Sequence, residues 1–184
     1  MRHHWRRHRQ RQLKRRSVWF LDETGVNLSL ARSFGRAAGG ARVYGNAPKN
    51  YGAGVTVLGA MQRDGQLATL EVRGATDELV MLAFIREVLS AVMRKGDVVV
   101  LDNLSSHKTR KVQDEFAALG VEVWYLPPYS PDLNPIELCW SKFKALLKQA
   151  AARGYDSLSE AISNALKKIT AADIKNWTRH CGYV

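Results

Sequence analysis

The chain has 184 residues, of which 46% are hydrophobic and 24% are charged. This composition is typical of a globular domain and excludes a wholly disordered chain or a collagen-like fibre. Twenty-eight Lys and Arg residues against 17 Asp and Glu residues give a formal net charge of +11. No apolar run approaches the roughly 20 residues of a membrane-spanning helix. With no secretory signal either, we expect a cytoplasmic protein whose two cysteines, Cys139 and Cys181, are reduced.

The positive charge is concentrated at the N-terminus, where the segment 1–16 is rich in Arg and contains no acid. Basic blocks of this kind are usually solvated and mobile, and they bind polyanions by releasing counterions. We therefore expect residues 1–16 to form a basic N-terminal arm or linker and residues 17–184 to form the folded domain. Arg6 and Arg7 are candidates for contacts with a polyanion such as DNA. The alternative is a bare linker.

The apolar patterns after the arm predict an alternation of strands and helices. In chain order they predict a buried strand over 18–21, an irregular basic segment over 24–54, a hairpin of strands 55–62 and 67–72, a helix over 76–93, a buried strand over 98–101, a helix over 108–119, a strand over 121–126, and helices from 135, near 158–169 and near 172–180. A hairpin followed by β-α-β-α units predicts an α/β protein with a mixed sheet and helices on both faces. Among known architectures this order looks most like the ribonuclease H-like fold.

Two aspartates end buried runs, since Asp22 and Asp102 each follow four apolar residues. If the runs are neighbouring central strands, both carboxylates emerge at one edge of the sheet and on one face. Close carboxylates repel unless a cation neutralises them, and hard oxygen ligands favour Mg²⁺ or Mn²⁺ over Zn²⁺. An acid at a strand end is also commonly a turn or cap residue, so this pair alone leaves a structural role open.

Glu137 is the third candidate carboxylate. Asn134 and Pro135 predict a helix start, which puts Glu137 in the first turn. There Glu137 would either close a capping box with Asn134 or complete a site that holds two metal ions with Asp22 and Asp102. The local sequence does not decide between these roles.

Three segments closely resemble the catalytic motifs of Tc/mariner-superfamily transposases, which use an Asp-Asp-Glu triad. They read VWFLDETG from Val18, VVVLDNLSSHK from Val98 and YSPDLNPIELCWSKFK from Tyr129. The spacing from Asp102 to Glu137 is also typical of that superfamily. The C-terminal tail resembles bacterial insertion-sequence members, and the resemblance covers about residues 17–184.

The resemblance implies a ribonuclease H-like catalytic domain whose triad, Asp22, Asp102 and Glu137, binds two Mg²⁺ or Mn²⁺ ions. The implied activity is DNA strand cleavage at transposon ends followed by strand transfer, in a homo-oligomeric complex with transposon and target DNA. The candidates for orienting the site or contacting DNA within the domain are Asn103, His107, Lys108 and Lys142.

Full-length members of the superfamily usually carry helix-turn-helix units ahead of the catalytic domain, and the segment 1–16 is too short for even one unit. We therefore expect this chain to be the catalytic part, with a separately encoded or missing helix-turn-helix portion. Two alternatives stay open: a ribonuclease H-like nuclease, and a catalytically inactive DNA-binding remnant of a transposase.

Overall fold

In the part of the chain that the structure describes, five strands form one mixed sheet, in the spatial order third, second, first, fourth and fifth strand along the chain. The computed structural model describes residues 2–32, 34–46, 49, 51–52 and 54–183. Its strands are β1 (Val18–Val26), β2 (Val55–Gln62), β3 (Leu67–Arg73), β4 (Val98–Leu101) and β5 (Glu122–Tyr125). The pairs β1–β2 and β2–β3 are antiparallel, whereas β1–β4 and β4–β5 are parallel. The predicted mixed sheet is confirmed, and the fold is ribonuclease H-like.

Helices cover both faces of this sheet, as the sequence predicts. They are α1 (2–13), α2 (78–92), α3 (Arg110–Ala118), α4 (Ile136–Ala150), α5 (Tyr155–Lys167) and α6 (Ala171–His180). Single π-helical turns, Trp5–Arg9 and Phe84–Leu89, lie within α1 and α2. Val18, Phe20, Val98 and Val100 pack into one core with α1, α4, α5 and α6. Trp19, Leu21, Val99 and Leu101 pack into a second core with α2 and α3.

The two cores follow the period-two alternation of β1 and β4. In the register, Val18 lies opposite Val98 and Phe20 lies opposite Val100. The predicted common face of these residues is therefore confirmed, and it is the face on which α4 packs.

Strand β1 is longer than the sequence predicts. The apolar run ends at Leu21, but β1 continues to Val26 because β2 pairs with it as far as Val55. Asp22 therefore lies within β1 and opposite Gly59, not at the strand end.

The expected solvated, mobile arm is wrong for residues 2–13, which form α1. Trp5, Gln10 and Leu13 of this helix are buried. The Trp5 indole donates a hydrogen bond to the Tyr183 hydroxyl at 3.2 Å, and the Gln10 amide donates to the Cys181 carbonyl at 2.7 Å. The few residues that pack α1 against the domain are spread through a basic run. A prediction based on charge therefore misses the buried side of this helix. The boundary between residues 16 and 17 stays a prediction.

The irregular segment predicted over 24–54 starts later, because residues 24–26 belong to β1. Its described part from residue 27 onward is irregular apart from a short 3₁₀ turn at Ala38–Gly40. Cys139 and Cys181 are buried and free of disulfide bonds. Within the described ranges, none of the helices has the length and apolar character needed to cross a membrane.

Candidate active site

Asp22 is held in the core-facing side of β1, and only 8% of its surface is exposed. The indole of Trp140, on α4, donates a hydrogen bond to Asp22 Oδ2 at 3.2 Å. Burial raises the pKa of Asp22 to about 7, with further upward contributions from the carboxylates of Glu137, Glu23 and Asp102. Asp22 is therefore a carboxyl group with little local positive charge to offset its ionisation.

Trp140 reaches Asp22 because β2 has no side chain at the crossing point. A Cβ atom at Gly59 would lie 2.5 Å from Cη2 of Trp140, closer than real contacts allow. Gly59 pairs with Asp22 across the strands, so the missing side chain leaves the indole room beside the carboxylate.

Asp102 follows β4 and is partly exposed. Its Oδ1 accepts a hydrogen bond from the Leu104 backbone N–H at 3.0 Å and lies 2.8 Å from His107 Nδ1. Burial alone would raise the pKa of Asp102, but these bonds, chiefly the one from His107, hold it below its usual value. In contrast to Asp22, Asp102 is stabilised in its charged form.

His107 is fully buried and bridges two carboxylates. Its second ring nitrogen, Nε2, lies 2.9 Å from Glu23 Oε2. Burial alone would lower the pKa of His107, but its hydrogen bonds to Asp102 and Glu23 raise the pKa to about 9. A protonated imidazole donates from both nitrogens, which matches two acceptor carboxylates. His107 thus fixes the end of β4 against β1.

Glu23 is a site residue that the sequence reasoning missed. The acidic doublet Asp22-Glu23 is its only local signal, since its partner His107 is 84 residues away. Neighbours in a strand point to opposite faces, so the assignment of Asp22 to the site gives no reason to expect Glu23 to contact His107.

Glu137 lies in the first turn of α4 and is exposed. It lines a cavity of about 480 Å³ together with Asp102, Asn103 and Asn134. Desolvation raises the pKa of Glu137, the Lys144 ammonium opposes this, and the Asp102 carboxylate adds to it. The helix has Pro135 at its N-cap and no side-chain cap bond, so the capping-box alternative is not observed.

Two of the three predicted carboxylates, Asp102 and Glu137, line a common cavity. The third, Asp22, is buried in β1, and the negative charges of Glu137 and Asp102 add to the effect of burial in raising its pKa. Within the part of the chain that the structure describes, however, no three His, Cys, Asp or Glu side chains are grouped closely enough to form a metal site. An all-oxygen donor set with mutual repulsion fits a hard divalent cation, which would relieve that repulsion.

The remaining candidate residues have different surroundings. Asn103 lines the cavity, and its amide donates to the Leu126 carbonyl. The Lys108 ammonium lies 5.3 Å from the centre of the Tyr125 ring, and the Lys142 ammonium pairs with Asp173 at 2.6 Å.

In α1, Arg6 pairs with Asp132 at 2.8 Å, and the side chain of Arg7 lies outside the described residues. The predicted DNA contacts of Arg6, Arg7, Asn103, Lys108 and Lys142 stay predictions.

The sequence was compared with known families and proteins. Residues 17–159 match the profile of a family described as DDE superfamily endonuclease. No curated protein matches the sequence.

Solved structures that resemble this fold include three of Mos1. The Mos1 strand transfer complex has a TM-score of 0.73 and 16% identity, covering 97% of this chain and 56% of that chain. The Mos1 mariner paired end complex with Mn has a TM-score of 0.67 and 18% identity, covering 97% of this chain and 57% of that chain. The catalytic domain of Mos1 mariner transposase has a TM-score of 0.61 and 17% identity, covering 93% of this chain and 78% of that chain. This chain spans about half the length of the Mos1 chains in the complexes. At these identities the likeness establishes the ribonuclease H-like fold alone.

Proposed function

Because this chain belongs to the DDE superfamily endonucleases, we propose that it is a transposase catalytic domain that cleaves DNA strands at transposon ends and joins them to target DNA. One observation carries the proposal. Asp102 and Glu137 line one cavity while Asp22, buried in β1, responds to the charge of both. The same three acids lie in segments that resemble the catalytic motifs of the Tc/mariner superfamily, and the capping role considered for Glu137 is not observed.

Asp22, Asp102 and Glu137 would hold the metal, in the proposed arrangement two Mg²⁺ or Mn²⁺ ions. A bound pair of ions supplies activation of the attacking oxygen and stabilisation of the leaving oxygen in phosphodiester cleavage. Related complexes are described with Mn and with Mg, which supports this choice of ion. The carboxylates act as ligands, so no covalent bond forms between protein and DNA.

The chain's own residues position this chemistry. His107 orients Asp102 through Nδ1, and Trp140 orients Asp22 through its indole N–H. A water molecule attacks phosphorus in the cleavage step and the bond to the leaving 3′-oxygen breaks, which frees a 3′-hydroxyl. In the joining step that hydroxyl attacks a phosphate of the target, whose own 3′-oxygen leaves.

DNA is the proposed substrate and partner, in a homo-oligomeric complex. The net charge of +11 supports an interaction with DNA. The Mos1 neighbours support it too, since they are a paired-end complex with a transposon end and a strand transfer complex. Recognition of transposon ends by a further helix-turn-helix portion, and membership of the bacterial insertion-sequence branch, belong to the same proposal.

The test is a strand-transfer assay with a plasmid target and a duplex taken from the DNA on either side of the coding sequence, chosen for inverted repeats where that DNA contains them. We expect nicked and joined products only with Mg²⁺ or Mn²⁺. The variants Asp22→Asn, Asp102→Asn and Glu137→Gln should lose both products. Asp114→Asn, a change of an exposed acid on α3, is the matched control and should keep them.

The two alternative functions give different outcomes. Metal-dependent cleavage without joined products would favour a ribonuclease H-like nuclease. DNA binding that is unchanged in Asp102→Asn, with no cleavage by the unmodified protein in either metal, would favour an inactive DNA-binding remnant.

A further inference from the structure

Tyr129 is an exposed aromatic residue in a strained backbone conformation. It is 96% exposed, and its φ of 52° lies in the left-handed region. Among the described residues one other residue besides glycines has a positive φ, Ala151, which ends α4 as left-handed residues commonly end helices. Tyr129 ends no helix, and bulky side chains rarely adopt this conformation. Such strain is concentrated at functional sites, so this position calls for an explanation.

The turn that carries Tyr129 is fixed by its neighbours. Ser130 is buried, and its hydroxyl donates to the Pro128 carbonyl at 3.1 Å, across Tyr129. The Ser130 carbonyl in turn accepts from the Leu133 N–H at 3.1 Å. Pro128 adds a backbone whose φ is set by its own ring. The tyrosine side chain therefore projects from an anchored turn.

Tyr129 lines the same 480 Å³ cavity as Asp102 and Glu137. The described lining contains these two acids and no lysine or arginine, so it has no cation to attract a phosphate group. It does contain two exposed apolar side chains, those of Tyr129 and Leu104, and Leu104 is 44% exposed. Cavities of about 300–1,000 Å³ bind small organic groups. The lining therefore suits a flat, uncharged ring.

A nucleobase is the flat ring that the proposed DNA substrate supplies. Bases stack on aromatic side chains, and this contact tolerates any sequence because every base has a π-face. Inside a duplex the neighbouring base pairs cover both faces of each base, so a base has to be unpaired to stack on the protein. Stacking also requires no positive charge on the protein, which suits a position beside two carboxylates.

We propose that Tyr129 is a DNA-contacting residue of the site, whose ring stacks on an unpaired base of the DNA strand at the cavity. The inference rests on the proposed function for the choice of DNA as the ligand, and it does not depend on a bound metal. It explains why an anchored turn holds a large aromatic side chain in solvent and in a strained conformation.

The test measures DNA affinity in EDTA, so that binding is separated from cleavage, together with the stability of the protein. The two probes are a blunt DNA duplex and the same duplex with a single-stranded end, both of mixed sequence. Tyr129→Asn removes the ring and suits a left-handed backbone, in which asparagine is enriched, whereas Tyr129→Phe keeps the ring. Leu79→Asn is the control, because Leu79 is 69% exposed on α2 and lies outside the cavity lining. Fluorescence anisotropy gives the affinities, and urea unfolding gives the denaturation midpoint.

We expect Tyr129→Asn to weaken the affinity for the duplex with a single-stranded end by about fivefold or more, and for the blunt duplex by less than about twofold. The salt dependence of binding should not change, since stacking releases no counterions. The denaturation midpoint should stay the same or rise, because an exposed ring makes few contacts and the backbone strain is relieved. Tyr129→Phe and Leu79→Asn should bind both probes within about twofold of the unmodified protein.

Three results would overturn the proposal: no loss of affinity in Tyr129→Asn, an equal loss for both probes, or a loss as large in Leu79→Asn. Failure of this inference is distinguishable from failure of the proposed function. If the unmodified protein binds the probes but neither cleaves nor joins DNA with Mg²⁺ or Mn²⁺, the proposed function fails, and the affinities of the variants still decide the role of Tyr129. If it cleaves and joins DNA while Tyr129→Asn binds both probes unchanged, this inference alone fails. If the unmodified protein binds neither probe, both proposals fail.

Discussion

Trp140 donates a hydrogen bond to Asp22 across 3.2 Å, although 118 residues separate them. Trp140 follows Glu137 by three positions, so the two side chains are neighbours on the surface of α4. The bond therefore fixes the helix that carries Glu137 against the strand that carries Asp22. Both Trp140 and Asp22 also lie next to Gly59, whose missing side chain leaves space for the indole.

We predict that Trp140→Phe retains most of the packing but loses this bond, at a cost of about 1 kcal/mol in the free energy of unfolding. Cleavage should fall by at least about tenfold, since Asp22 would lose its anchor to α4. The control is Trp19→Phe, which removes a similar indole bond, 2.9 Å to Asp97, near the start of β1. Equal losses of activity in the two variants would contradict a special role for Trp140.

Gly59→Ala tests the close approach itself. The new methyl group would meet Trp140 at 2.5 Å, and we predict a loss of about 1–3 kcal/mol in the free energy of unfolding, as in other overpacked cores. Gly25→Ala adds the same methyl group to β1 where no atom lies within 4 Å. Urea unfolding of both variants gives the comparison, and a smaller loss for Gly59→Ala than for Gly25→Ala would refute the prediction.

The sequence correctly predicted that Val18 and Phe20 share a face with Val98 and Val100, because strand alternation is a local property. The shared face of Asp22 and Asp102 stays a prediction. The length of β1 beyond Leu21 was missed because it depends on β2, which follows only after the long irregular segment. The pairing of Glu23 with His107 is likewise tertiary. The docking of α1 was missed because its many basic residues outweighed the few buried ones.

His107→Gln should destabilise the protein strongly. The imidazole is fully buried and bonds both Asp102 and Glu23, and its loss leaves two carboxylates without their shared donor. We predict a loss of about 2–3 kcal/mol in the free energy of unfolding, against about 1 kcal/mol for Glu23→Gln, which keeps a polar partner for the ring. Thermal or urea unfolding measures the stability of both variants. A smaller loss of stability in His107→Gln than in Glu23→Gln would argue that His107 does not bridge the two carboxylates.

The ion pair between Asp173 and Lys142 should make part of the folding stability depend on pH in the acid range. Hydrogen bonds with Lys142 and the Thr170 backbone lower the pKa of Asp173 from 3.8 to about 2. A lowered pKa in the folded state stabilises the fold above the unfolded-state pKa, and this contribution is lost as pH falls from about 4 to about 2. We expect about 1 kcal/mol, because solvent screens a partly exposed pair. In unfolding experiments from pH 6 to pH 2, Asp173→Asn should lose this part of the pH dependence, whereas an unchanged profile would contradict the assignment.

Tyr183→Phe tests whether α1 and the C-terminal tail support the loop before Glu137. The buried Tyr183 hydroxyl donates to the Leu133 carbonyl at 2.6 Å and accepts from Trp5 at 3.2 Å. Its removal leaves both partners unsatisfied, so we predict a loss of about 1–3 kcal/mol in the free energy of unfolding that salt does not change.

Asp132→Asn is the comparison for the same loop, because it breaks only the exposed pairs of Asp132 with Arg2 and Arg6. Exposed pairs contribute about 0–1 kcal/mol and weaken as salt rises. Urea unfolding at low and high NaCl separates the two variants. Two results would contradict the role of the buried hydroxyl: a smaller loss of unfolding free energy in Tyr183→Phe than in Asp132→Asn, or a loss in Tyr183→Phe that disappears at high salt. Either result would indicate that the surface charges join α1 to the loop.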